Sequence, residues 1–375
     1  MAASGVVLAL VLGGAAAFTP PAASSLHTRH PLPHRPPLPR QAAKQRGLCM
    51  SQGAGALDGE LILVAGGGGR VGRLVVEELL AKHPGARVRA AVRDLGRGEE
   101  ALGPAGAKER LELVQCDLAA EGDVRAAMEG VRRVVWCATE YSDRIAPGRR
   151  LQWLGSVLPA LISPKLCPAA DVKGVRLVAN AMKKNAPPPQ GGQPAFVLLS
   201  SAAVTRPGWS QEQKEAYPEA AGVPIIKLSP LFFNILGTKL AGEEAARSAG
   251  VPLAVVRLCA LNDGHGEGRL VLSTGDTATG RISRRDAASL LVSALTEPAL
   301  EGRAVEAFTI AGQKGVSFGE ALAEIDSEER MECMRRYPGS SWLTAWYKGD
   351  GMENSSPEPM MNDPAWRKEE REARK

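Results

Sequence analysis

Residues 61–80 read LILVAGGGGRVGRLVVEELL, and no other stretch limits the fold as much. The apolar run 61–65 is long enough for one strand buried on both faces. Four glycines end it abruptly. Val71, Leu74, Val75 and Leu79 then recur at helical spacing. Strand, glycine turn and helix in that order open a dinucleotide-binding unit. The glycines Gly66, Gly69 and Gly72 stand three apart. The first allows a sharp turn, and the second removes a side chain where a pyrophosphate would press. The third lets the helix pack close to the strand. The helix start then offers N–H groups and a partial positive charge to phosphate.

Downstream, strand and helix patterns alternate. A second strand, 87–92, ends at Arg93 and Asp94, about 20 residues past the glycines, where the adenosine ribose is inspected. An Arg there suits a 2′-phosphate and an acid suits a 2′-hydroxyl. Arg93 comes first and favours NADP(H), while Asp94 keeps NAD(H) open. Residues 95–110 read as a Gly-rich charged loop. A third strand, 111–116, leads into Asp117 and Leu118. Asp117 suits either the adenine ring or a cap on a helix starting near Asp123. A fourth strand, 131–138, ends in the small residues Ala138 and Thr139, which let a cofactor approach the backbone.

Residues 140–170 break the rhythm. They suit a substrate wall or a partner-docking flap. A helix over 171–184, a Pro-rich connector over 186–194 and a fifth strand over 195–200 follow. A second excursion, 205–233, carries Trp209 and Tyr217, with a small strand expected at 224–228. Then come a helix over 236–249, a sixth strand over 253–258 and a short strand over 270–273. Ser283 and Asp286 have the spacing of a helix-start capping box, which makes Asp286 a capping residue rather than a catalytic acid. A strand over 305–310 and a helix over 318–335 complete the pattern. It predicts an α/β fold with a doubly wound parallel sheet, Rossmann-like, in a single domain over 58–337.

The two ends read differently. Residues 1–57 hold five basic residues and no acid. The chain totals 46 Lys and Arg against 41 Asp and Glu, so the body is neutral once the leader is set aside. That gives no footprint for DNA. The apolar stretch 6–17 is too short for a lasting membrane span. It ends in the small residues Ala15 to Ala17, and Phe18 follows, then a Ser-, Pro- and Arg-rich segment. This arrangement resembles the bipartite leader of secondary plastids, with a plain secretory signal as the alternative. Residues 338–375 form a polar tail, disordered or docking. The six cysteines are scattered without metal spacing, so no metal site is expected.

Several stretches together resemble one family. They are AGGGGRVG (65–72), AVRD (91–94), CDL (116–118), LSSAAVTRPG (199–208), TKLAGEEAARSAGVPLAVVRLCAL (238–261) and GRISRRDAA (280–288). Over about residues 60–312 the chain resembles atypical short-chain dehydrogenase/reductase proteins. The group it is most like is the NmrA-like NAD(P)H-binding type of plastids and cyanobacteria, related to the nucleotide-binding part of complex I intermediate-associated proteins. The resemblance implies Gly66, Gly69, Arg70, Val71 and Gly72 at the phosphates and Arg93 at the adenosine ribose. It implies Asp117 and Leu118 at adenine, Ala138 and Thr139 along the cofactor, and Lys239 at the nicotinamide ribose.

Active members use Tyr-x-x-x-Lys, with a lysine-supported phenol as proton donor. Lys239 fits the lysine, but Ile235 stands where the tyrosine belongs. Ser200 and Ser201 occupy the position of a substrate-orienting serine, so Lys239 and Ser201 are the catalytic candidates. Two functions follow as expectations. One is an NADPH-dependent reductase of a small plastid metabolite. The other is a non-catalytic NADP(H)-binding factor that assists a thylakoid protein complex.

Overall fold

The computed structural model describes residues 56–103, 109–139, 170–185, 187–229, 234–263, 268–311 and 315–325. The expected leader, most of the 140–170 excursion, the end of the last helix and the C-terminal tail lie outside these residues.

The uninterrupted apolar run forms β1 (Leu61–Ala65), buried along its whole length. Ile62 and Val64 face one core, while Leu61, Leu63 and Ala65 face the other. Such two-sided burial belongs to a central parallel strand. β1 lies between β2 (Arg87–Val92) and β4 (Arg133–Trp136), parallel to both. β3 (Leu111–Gln115) pairs with β2, and β5 (Phe196–Ser201) with β4. β6 (Leu253–Leu258) follows β5, and β10 (Ala304–Ala311) lies parallel beyond β6. The order is thus β3-β2-β1-β4-β5-β6-β10, reversing between β1 and β4. At such a reversal the connections leave to opposite faces, and a crevice opens at the carboxyl ends of the strands.

The sheet is not wholly parallel. β8 (Gly268–Ser273) and β9 (Arg281–Ser283) run antiparallel to β10, and β7 (Ala260–Asn262) pairs parallel with β9. They cover an edge that an all-parallel sheet would leave unpaired.

Helices cover both faces. α1 (Gly72–Lys82) buries Val75, Val76, Leu79 and Leu80. It packs in one core with Leu290, Leu291 and Ala294 of α9 (Arg284–Ala294) and Leu322 of α10 (Phe318–Ile325). The opposite core joins Val124 of α3 (Glu121–Ala127), Val178 and Met182 of α4 (Val175–Asn185), and Ala246 of α8 (Ile235–Ala249).

Three local expectations are corrected. Residues 95–102 are a helix, α2 (Leu95–Leu102), not loop. Asp94 caps it by accepting from the Arg97 N–H at 2.9 Å. The apolar run 224–228 is likewise helical, α7 (Pro224–Leu228), with Pro224 in its first turn, where a missing N–H costs nothing. It follows two further short helices, α5 (Gln211–Ala216) and α6 (Pro218–Ala221). The helix expected over 171–184 starts with a π-helical turn, Ala170–Gly174, ahead of α4. Ser283 does cap α9, accepting from the Asp286 N–H at 3.0 Å and donating to its carboxylate at 2.8 Å. No helix among the described residues is long and apolar enough to cross a membrane.

Candidate functional site

The glycine turn sits at the strand-order reversal. Gly66 has φ +79°, a region L side chains rarely adopt. A Cβ there would lie 2.8 Å from the Ala138 Cα, so the turn runs directly against the end of β4. The Gly66 and Gly67 N–H groups both donate to the Ala91 carbonyl at 3.1 Å, and the Gly69 N–H donates to Gly66 O at 2.9 Å. A Cβ on Gly72 would overlap that same Gly66 oxygen, so Gly72 lets the helix start pack tightly against the turn. Gly69 differs. A Cβ there would meet only Gly66 O, at 3.1 Å, and Gly69 and Arg70 are exposed. Gly67 went unassigned in the sequence, yet its Cβ would come within 2.7 Å of the Ala90 methyl on β2.

α1 begins at Val71 with no side-chain cap and no acid in its first turn. The Arg73 N–H donates back to the Gly69 carbonyl at 2.9 Å, but no side chain occupies the helix start, which presents the positive end of the helix dipole. An exposed glycine turn, a helix start with no side-chain cap and the absence of acid there fit the phosphates of a dinucleotide.

Arg93 is exposed at the end of β2, and its carbonyl accepts from the Gln115 amide at 3.3 Å. Asp94 beside it is engaged as the α2 cap. Asp117 does not cap α3, whose N-cap is Ala120. Its carboxylate accepts from the Ala119 N–H at 2.9 Å, and its own N–H donates to Asp123 at 2.9 Å. Asp117 is exposed, whereas the Leu118 side chain packs in the core.

Past β4, Thr139 donates to the Asp171 carboxylate at 3.4 Å. Asp171 lies on the π-helical turn, is 3% exposed, and pairs with the Lys239 ammonium at 2.8 Å. Nothing in the sequence around Asp171 marked it as Lys239's partner. The adjoining Cys137 thiol is pushed up to about 12 by burial, opposed by the nearby Lys239 charge. Burial likewise pushes Cys259 up to about 12 and Cys116 up to about 11. These thiols have no nucleophilic character at neutral pH. Among the described residues no group of His, Cys, Asp and Glu is arranged to hold a metal.

The serines part company. Ser200 is buried, and its hydroxyl donates to Glu243 at 2.7 Å. Glu243 also accepts two bonds from Arg257, at 2.9 and 2.8 Å, and one from Arg247 at 2.9 Å. Burial pushes the Glu243 carboxyl up, but these donors outweigh it and hold it below the usual carboxylate range. Ser200 is thus part of a structural network, not a free substrate ligand. Ser201 is half-buried and donates to the Ala202 carbonyl at 2.9 Å. Ile235 is the first residue of α8, one turn ahead of Lys239.

Tyr217 is remote from this motif and packs on Trp209, with ring centroids 5.8 Å apart. Beneath it lies a second buried network that sequence reasoning missed. Asp276 accepts from the Ala203 and Thr205 N–H groups at 2.6 and 2.8 Å, which fixes the loop after β5. Glu306 accepts from the Asp276, Thr277 and Ala278 N–H groups. The buried Arg206 donates to the Asp276 carbonyl at 2.7 Å.

The NAD(P)H-binding family model matches residues 66–298. The chain belongs to this family. It is an NAD(P)H-binding protein of the atypical short-chain dehydrogenase/reductase, NmrA-like type. An uncharacterized chloroplastic protein of Arabidopsis thaliana is 26% identical over 276 residues, spanning 71% of this chain and 83% of that one. Chloroplastic protein TIC 62 of Pisum sativum is 26% identical over 260 residues, or 65% of this chain and 41% of that protein. Among solved structures, a putative NAD-dependent epimerase/dehydratase from Bacillus halodurans aligns with TM-score 0.47 at 18% identity. That alignment covers 68% of this chain and 95% of the other. The matched span of this NAD(P)H-binding chain takes in the glycine turn, Arg93, Asp171 and Lys239. It stops short of β10 and α10.

Proposed function

We propose that residues 58–337 form one dinucleotide-binding domain that holds NADP(H) across the β1/β4 crevice. The phosphates lie at Gly66, Gly69, Arg70, Val71 and Gly72. Asp117 and Leu118 flank adenine, Ala138 and Thr139 line the path, and Lys239 reaches the nicotinamide ribose. The observation that carries this reading is the uncapped start of α1 beside Gly69, where added side-chain volume meets nothing but one carbonyl. NADP(H) is favoured over NAD(H) because Arg93 is exposed at the ribose position while Asp94 is engaged in capping α2. Fluorescence titration with NADPH and NADH tests both points. Absence of saturable binding of either refutes the reading.

The chloroplastic relatives support a plastid location, with residues 1–57 as the import leader. Fusing those residues to a fluorescent protein tests it, and export from the cell would favour the secretory alternative. Bound NADPH would supply a hydride, and the chain would orient an acceptor beside it as a reductase of a small metabolite. Two observations favour the non-catalytic reading, an NADP(H)-holding factor for a photosynthetic complex. Ile235 has no proton to give, and the Ser200 hydroxyl is committed to Glu243. Saturable NADPH binding without turnover on quinones, aldehydes and enones, together with co-purification with thylakoid complexes, supports the factor. Steady NADPH consumption with any of these acceptors supports the enzyme.

A further inference from the structure

The Asp171–Lys239 pair is built from three separate elements. Lys239 stands in the second turn of α8, Asp171 on the π-helical turn before α4, and Thr139 past the end of β4. The lysine side chain is 15% exposed and that of Asp171 1%, with 2.8 Å between ammonium and carboxylate. A carboxylate this deep is stable only with a partner cation. The approach of α8 is itself arranged, because a Cβ on Gly242 would overlap the Asp171 carbonyl. Asp171 also accepts from the hydroxyl of Thr139 at 3.4 Å, one residue past Ala138, which Gly66 abuts. The pair therefore borders the crevice at the β4 end.

A lysine has a flexible four-carbon stem, and an ammonium without a fixed partner samples many positions. In Tyr-x-x-x-Lys chemistry the phenol one turn back shares the lysine's neighbourhood. Here that position is Ile235. We propose that Asp171 is the positioning residue for Lys239, holding its ammonium toward the nicotinamide-side ribose in place of any contact from position 235. The ammonium has three N–H donors. Held on one side by the ion pair with Asp171, it keeps N–H donors for the hydroxyls of a ribose. This inference rests on the dinucleotide reading above and adds to it the residue that fixes the nicotinamide end.

The test uses calorimetry on the full chain with two ligands. NADPH carries both riboses, and adenosine 2′,5′-bisphosphate carries only the adenosine half. The variants are Asp171→Asn, Lys239→Gln and the double variant, chosen to keep side-chain size. Each single variant is expected to raise the NADPH Kd about tenfold, the scale of one charge-assisted hydrogen bond. The double variant is expected to be no weaker than either single one, since both remove the same contact. The bisphosphate Kd stays within about twofold throughout, which a general loosening of the fold would not allow.

An Asp171→Asn protein with wild-type NADPH affinity overturns the positioning role while leaving the dinucleotide reading standing. So does equal weakening of both ligands, or full additivity in the double variant. A wild-type protein that binds neither ligand overturns the dinucleotide reading and this inference with it.

Discussion

Gly69 and Gly72 are three residues apart, yet the structure gives them opposite sensitivities. A methyl at position 72 would overlap the Gly66 carbonyl oxygen, which is backbone and held in the turn by the Gly69 N–H. Overpacking typically costs 1–3 kcal/mol, and backbone that cannot step aside puts Gly72→Ala near the top, about 3 kcal/mol. At roughly 2–4 °C per kcal/mol for a domain of this order of size, Tm falls by about 6–12 °C. At position 69 the same methyl meets only Gly66 O, at 3.1 Å, a contact relieved by a few tenths of an ångström. Restricting the unfolded chain returns about 0.4–1 kcal/mol, so the Tm of Gly69→Ala stays within about 2 °C of the parent. Its added methyl stands where the diphosphate is proposed to lie. NADPH affinity is expected to fall about 10–100-fold, or 1.4–2.8 kcal/mol. Scanning calorimetry and NADPH titration on the two variants read these effects separately. Equal Tm losses, or a Gly69→Ala protein with unchanged NADPH affinity, would refute the division of roles.

Arg93→Ala is expected to raise the NADPH Kd about tenfold or more and leave the NADH Kd unchanged, since only NADPH carries a 2′-phosphate for the guanidinium fork. Parallel titrations check it, and equal effects on both ligands would show that Arg93 does not read the ribose. Glu243→Gln leaves Arg257 without its buried counter-charge and is expected to cost about 3–5 kcal/mol at pH 7 by urea melts. The folded state holds the Glu243 carboxyl below its ordinary value near 4.5. Its stabilisation is therefore complete above that pH and is lost as the pH falls through the lower folded value. The gap between wild type and Glu243→Gln should narrow between pH 5 and 3, and a gap that widens there contradicts the pairing. With Cys137 and Cys259 pushed up to about 12 and Cys116 to about 11, iodoacetamide at pH 8 should label none of the three in the native protein and all in 6 M guanidinium. Mass spectrometry of the peptides decides it.

What could be read in advance was whatever short windows encode. Five apolar residues followed by glycines and a 3.6-residue period specified β1, the turn and α1, because strand burial and helix amphipathicity repeat within a few residues. The alternation of such windows implied the doubly wound sheet. Where local signals compete, the reading failed. The glycines and charges of Leu95–Leu102 hid a helix that the Asp94 cap secures. Ile225 and Ile226 read as strand, although Pro224 opens a helical turn there. The strand over 270–273 was legible as part of β8, but its antiparallel pairing was not, nor was β9, since pairing direction depends on where the chain returns and not on the strand's own residues.

The same division holds at the site. The sequence alone determined that a side-chain-free turn meets a helix start, and that position 235 lacks a phenol. Only the tertiary structure decided that Ser200 belongs to Glu243, that Asp94 is engaged as a cap, and that Asp171 faces Lys239. A backbone turn is set by the conformational freedom of its own residues, whereas a buried charge pair exists only once distant strand ends and helices have been brought into contact and water has been excluded between them.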